Sequence, residues 1–220
     1  MPSKPSEWPE WPLEGPTLAE SWNAAWSALG KPAPLELRRE LELAWTEPHR
    51  HYHDSRHLGE CLALCSRWTE QAERPAEGAL AIWFHDAVHD PKLNANELNS
   101  AAWAARSLVA AGIGSDVAQR VYDLVLATRH DTPARGRDAA LVVDIDLAIL
   151  GSPSERFEAY DRDVRKEYAW VSGFRYRSQR KHVLQGFLSR ARIYETACAV
   201  ELLEEQARLN LQGALERLAQ

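Results

Sequence analysis

Two His-Asp pairs four residues apart, His85-Asp86 and His89-Asp90, follow the apolar run Ala81-Ile82-Trp83-Phe84. Positions four apart lie on one face of a helix, so a helix here sets His85 beside His89 and Asp86 beside Asp90. Ile82, Phe84 and Val88 would dock that helix into a core. An imidazole or carboxylate buried among such residues is costly unless it is paired or binds a metal. Pro91 then ends the helix, because the residue before a proline is pushed out of the α region. Six of the eight histidines fall between residues 49 and 89. Metal ligation draws imidazoles and carboxylates together from different elements. The candidates are His57, the pair His85-Asp86, and Asp144 or Asp146. Residues two apart on a helix point about 200° from each other, so one of those aspartates faces a metal. Asp146 is preferred; Asp144 is the alternate, otherwise a supporting or capping group.

The elements that must position these residues read as helices. Thr17-Leu18-Ala19-Glu20 is a capping box opening a helix to about Leu29, and Leu35 to about Trp45 forms a second. Asp54 or Ser55 caps a third, with Leu58, Cys61, Leu62, Cys65 and Trp68 as its apolar stripe. Asn94-Ala95-Asn96-Glu97 resembles a further capping box, opening a helix through Ala111, and Ser115 caps the next, to about Thr128. Leu141 to Leu150 could be a strand by composition, but no strand partner exists and helix is expected. Later helices are expected from Ser152 or Ser154 to about Val171, over 176–190 and over 191–217, with Gly213 a possible break. The proline-rich residues 1–16 read as an irregular arm and residues 17–220 as one all-α domain. Three of the nine tryptophans, Trp8, Trp11 and Trp22, fall early in the chain, so that segment should pack on something.

Composition narrows the function classes. Apolar residues at 45% and charged residues at 26% are ordinary for a globular protein. A net charge of -6 argues against a general nucleic-acid binder, whose footprint is basic. Cys61, Cys65 and Cys198 cannot all pair; Cys61 and Cys65 read as buried thiols in a reducing compartment, since a zinc site needs more ligands than this pair offers. No segment approaches the length of a membrane span and the N-terminus has no apolar signal core, so the expectation is a cytoplasmic protein.

The series His57, His85-Asp86 and Asp146 resembles the signature of the HD-domain phosphohydrolase superfamily. Longer strings add to it: Pro48-His49-Arg50-His51-Tyr52-His53, Trp83-Phe84-His85-Asp86, Asn96-Glu97 with Ser100-Ala101, and Asp144-Ile145-Asp146-Leu147-Ala148-Ile149-Leu150-Gly151. They are similar to a subgroup of predicted metal-dependent HD phosphohydrolases, over residues 40–210 or so. The resemblance implies an all-α, multi-helix HD-like bundle. It implies a divalent metal (Mn, Fe, Co, Ni, Mg or Zn) held by His57, His85, Asp86 and Asp146, and hydrolysis of a phosphate ester. It implies no particular substrate; a nucleotide or other small phosphorylated metabolite is expected, with no membrane or nucleic-acid partner, and a homo-oligomer is compatible.

A carboxylate or imidazole beside the metal's water can take its proton; His89, Glu97 and His130 are the candidates. Arg50, His53 and Arg180 are candidate substrate contacts, Arg180 within the basic run Arg175, Arg177, Arg180 and Lys181. In some HD enzymes an extra histidine between the His-Asp pair and the last Asp serves a second metal. One metal is expected here, with His89 and His130 lining its pocket, because a second cation about 3.5–4 Å away needs a bridge, most plausibly Asp86. The rival reading is a non-catalytic HD-fold module that binds a nucleotide or metal and signals to a partner protein.

Overall fold

The structure, a computed structural model, describes residue 11 and residues 13–219. The chain divides into two compact units, and the division falls after Asp146. It lies inside a helical stretch that runs from Arg137 through a 3-10 turn, Leu147–Gly151, so no loop or shift in composition marks it. Among the described residues there is no strand. No described helix is long and apolar enough to cross a membrane.

The first unit contains α1 (Leu18–Ala28), α2 (Leu35–Ala44), α3 (Ser55–Arg67), α4 (Pro75–Phe84), α5 (Asn96–Ala110), α6 (Ser115–Ala127) and α7 (Arg137–Asp146). Thr17 closes the expected capping box: its hydroxyl accepts the Glu20 N–H, and the Glu20 carboxylate accepts the Thr17 N–H. Asp54 caps α3 by accepting the N–H groups of Arg56 and His57. This cap fixes His57 in the first turn. The α5 capping box is a correction. Ala95 is the N-cap, with a methyl side chain that cannot accept a hydrogen bond, and the Asn96 amide instead bonds both backbone groups of Asp90, at 3.1 and 2.9 Å. Likewise Gly114, not Ser115, precedes α6 as its N-cap.

Helix α4 is the centre of this unit and packs against α1, α3, α5, α6 and α7. Leu80 through Phe84 are all buried, as expected of a helix apolar on every side. Trp83 meets Trp22 edge-on with ring centroids 5.0 Å apart. Burying a side chain the size of Leu80, Ile82 or Phe84 contributes about 1.5–3 kcal/mol each.

The second unit follows with the Leu147–Gly151 turn, α8 (Ser154–Glu167), α9 (Gly173–Leu188) and α10 (Ala197–Leu218). A Cβ on Gly151 would stand 2.6 Å from the Leu203 Cβ, so glycine lets the turn sit on α10. Asn210 holds the turn by donating to the carbonyls of Leu150 and Ser152 at 2.9 and 2.7 Å. Gly213 does not break α10, which continues to Leu218. Of the expected N-terminal arm, residues 13–16 carry no regular structure; residues 1–10 and 12, Trp8 among them, lie outside the described residues.

Candidate metal centre

Helix α4 stops at Phe84, with His85 as its C-cap, and the chain turns at residues 85–86, bends at 87–88 and is irregular at 89–90. The expected helix through His89 is therefore a correction: His85 and His89 do not share a helical face. The cause is a set of tertiary hydrogen bonds that replace the helical ladder. The last carbonyls of a helix have no partner within it. Here the Ile82 carbonyl accepts from His85 Nδ1 at 2.7 Å and the Trp83 carbonyl from the Trp45 indole at 3.0 Å. Arg50 then donates to the carbonyls of Asp86 and Ala87, at 2.7 and 3.0 Å, and Ser100 Oγ accepts the Val88 N–H at 3.0 Å.

This turn brings the His-Asp pair to His57 on α3 and Asp146 at the end of α7. Ligand atoms of His57, His85, Asp86 and Asp146 all lie within 4.8 Å of one another. His57 Nε2 is 3.1 Å from His85 Nε2 and 3.3 Å from Asp146 Oδ1. His85 Nε2 is 3.4 Å from Asp86 Oδ2 and 3.5 Å from Asp146 Oδ1. Bonds of about 2.0–2.2 Å to a cation, at tetrahedral or octahedral angles, set neighbouring donors about 2.8–3.6 Å apart, so these spacings fit a shared ion. Because a carbonyl only accepts, the His85 Nδ1 contact to Ile82 assigns a proton to Nδ1 and turns Nε2 inward, as the atom that would bind a metal once its own proton leaves.

His130 stands behind this group. Its Nε2 lies 2.9 Å from Asp146 Oδ2, while Oδ1 of the same carboxylate faces His57 and His85. His130 has φ 56°, a left-handed conformation that costs a non-glycine residue energy. The residue in this conformation is the one whose side chain meets Asp146.

The electrostatics follow from burial opposed by close partners. Burial works to lower the His85 pKa, but the charges of Asp86 and Asp146 outweigh it and raise it to about 9. Burial works to raise Asp86, yet His85 and His53 hold its carboxyl below the usual range. Asp146 is likewise opposed by burial but held well below that range by hydrogen bonds from His130, His57 and His85.

The remaining sequence candidates fall in different places. Asp144 is fully buried and is not among the four converging residues. The His53 and His89 rings stack at 4.2 Å, and His53 Nε2 is 4.0 Å from Asp86 Oδ2. His49 stacks beyond His89 at 6.3 Å, its Nε2 2.7 Å from the His89 carbonyl. Glu97 sits in the first turn of α5, outside the converging group. Arg50 is buried, its guanidinium engaged with Glu47 and with the carbonyls of His53, Asp86 and Ala87, so it builds the turn. Arg180 lies in the second unit, buried on α9 and bonded to Asp161 at 2.9 Å.

One neighbour of the site reads from the sequence only as a buried thiol. Cys61 Sγ is 3.7 Å from His57 Nδ1, and Cys61, His57 and His85 form a second group of convergent donors. Its signal was the i, i+4 spacing from His57 on α3. Burial, and then the charge of Asp146, push the Cys61 thiol pKa well up, so it is a neutral neighbour at ordinary pH.

Comparison with protein-family models, curated proteins and solved structures found no match.

Proposed function

We propose that this protein is a metal-dependent phosphohydrolase that cleaves a phosphate ester of a nucleotide or other small metabolite. The observation that carries the reading is the set of donor spacings of 3.1 to 3.5 Å among His57, His85, Asp86 and Asp146, drawn from three separate segments. The all-helical architecture is compatible with the HD-like bundle that the motifs resemble. Two imidazoles and two carboxylates suit Mn, Fe, Co, Ni or Zn better than Mg, which favours oxygen ligands throughout. A divalent cation in such a set lowers the pKa of its water from about 15.7 toward 7 and polarises a phosphate oxygen.

The chain's own groups divide the remaining work. Asp86 and Asp146 supply the negative charge that attracts the cation. His130 and the Ile82 carbonyl orient Asp146 and His85. His53, 4.0 Å from Asp86 and stacked on His89, is the group best situated to take up a proton from water at the site and pass it outward.

A panel of phosphomonoesters and phosphodiesters, assayed with Mn, Co, Ni, Zn and Mg added singly to chelator-treated protein, tests this. Hydrolysis should require the metal and vanish in Asp86→Ala. A protein that binds metal through these four residues yet hydrolyses nothing in the panel is instead the non-catalytic module.

A further inference from the structure

Only Arg180 and Leu184 of the sixteen residues of α9 are buried. Phe174, in its first turn, is 78% exposed, and Trp170, in the turn that precedes the helix, is 56% exposed. Trp170 stacks with Tyr168, ring centroids 6.4 Å apart and planes inclined at 29°. Seven residues make almost two whole turns, so Lys181 stands nearly in line with Phe174. Arg177 lies about 60° to one side of that line and Arg175 about 100° to the other. The Arg177 guanidinium folds back along the helix, with Nη1 3.6 Å from where a Cβ on Gly173 would stand. Phe174 is therefore edged by three cations.

These cations are in surplus within their unit. Arg175, Arg177 and Lys181 are exposed and make no hydrogen bond or ion pair among the described residues. The end of α8 lies along the start of α9, with Arg165 over the Tyr176 ring at 4.6 Å. Its carboxylates are engaged or buried: Asp161 accepts from Arg180 at 2.9 Å, Asp163 from Lys166 at 2.7 Å, and Glu167 is buried. From Asp161 to Val183, seven Lys and Arg stand against these three carboxylates. The start of α8 holds Glu158, paired with Arg217, and Glu155, about 9 Å of helix before Asp161. Past the far end of α9, Glu204 accepts the backbone N–H groups of Ile193 and Tyr194. Glu201, Glu205 and Glu216 lie on the side of α10 opposite its buried Leu203, Ala207 and Ala214.

An exposed aromatic ring edged by unpaired cations matches a strand of alternating phosphates and flat bases. An anionic bilayer asks instead for a continuous apolar face. Helix α9 has none: its large exposed apolar residues, Phe174 and Val183, are nine positions apart and stand on opposite sides. We propose that this band is a docking surface for single-stranded nucleic acid, with phosphates on Arg175, Arg177 and Lys181 and bases on Phe174 and Trp170. The net charge of -6, which argues against a general nucleic-acid binder, confines the contact to this band. The inference does not rest on the phosphohydrolase reading.

Fluorescence anisotropy of a labelled single strand of about 12 nucleotides, with full-length chelator-treated protein at about 50 mM salt, tests it. Saturable binding is expected. Affinity should fall at least about tenfold in Arg177→Glu/Lys181→Glu and at least about fivefold in Phe174→Ala. An abasic strand of the same length should bind more weakly and be indifferent to Phe174→Ala. Binding should be unchanged in His85→Ala. Lys181→Gln alone, at an exposed position, should also weaken binding and serves if the double variant does not fold. No saturable binding, affinity unchanged in the charge variants or in Phe174→Ala, affinity lost in His85→Ala, or binding to phosphatidylserine vesicles in place of the strand would each overturn the proposal. Loss in His85→Ala would assign the strand to the histidine cluster, and vesicle binding would assign the band to a membrane.

Discussion

His130 pairs an unfavourable feature with a favourable one: a left-handed backbone and a bond to a carboxylate oxygen. His130→Ala keeps the backbone cost and loses the bond; His130→Gly loses the bond but relieves the backbone. Both variants should bind metal about 10–100-fold more weakly, as for other partners that orient a ligand. His130→Gly should be the more stable of the two by about 1 kcal/mol in denaturant unfolding. If His130→Ala binds metal normally, the histidine does not position Asp146. The two aspartates of α7 separate in the same way. Asp146→Ala should lose metal with the helical content retained. Asp144→Ala should lose stability, since Asp144 is fully buried, while still binding metal. Metal loss in Asp144→Ala alone would mean the wrong carboxylate has been assigned.

At the scale of elements, local sequence signals served well where a helix is closed by its own residues and poorly where distant residues close it. Thr17 with Glu20, and Asp54 with His57, were legible because cap and capped groups are three residues apart. The end of α4 was not. It depends on Trp45, Arg50 and Ser100, between 12 and 38 positions away. No local pattern records those bonds, and an i, i+4 histidine spacing suggested more helix. The same holds for Asn96, which reads as the third residue of a capping box but clamps Asp90. The four residues singled out from the sequence for the site do converge, while the approach of Cys61 and the stacking of His53 on His89 depend on how α3 meets the turn. Arg50 carries the prediction at this scale. Arg50→Met keeps bulk but leaves the Asp86 and Ala87 carbonyls without their donor. Unpaired buried acceptors cost about 1–3 kcal/mol each, so unfolding free energy should fall by about 2–6 kcal/mol, with faster amide exchange over residues 85–90. Wild-type exchange there would show that the turn does not depend on Arg50.

For the whole molecule, the histidine-carboxylate cluster links folding, protons and metal. His85 is raised from 6.5 to about 9, so without metal its contribution to stability is complete below about pH 6.5 and is lost as pH rises through 9. Asp86 and Asp146 are lowered from 3.8, so their contribution is present above that value and fades as pH falls below it. The metal-free protein should therefore be most stable between about pH 4 and 6.5, as thermal unfolding across a pH series would show; a maximum above pH 8 would contradict these pairings. Metal reverses the alkaline trend. A cation must displace the His85 proton, so affinity should climb about tenfold per pH unit up to the neighbourhood of pH 9. At a metal concentration of about 100 times Kd the gain in stability should be about 2.7 kcal/mol. The central claim is that His57, His85, Asp86 and Asp146 together hold one divalent ion. Titrating Mn or Zn into chelator-treated protein, followed by elemental analysis after gel filtration, tests it most directly. One equivalent should be retained by the wild type and none by Asp86→Ala or His57→Ala at matched helical content. A full equivalent retained by Asp86→Ala, or two retained by the wild type with the second lost in His130→Ala, would contradict the account.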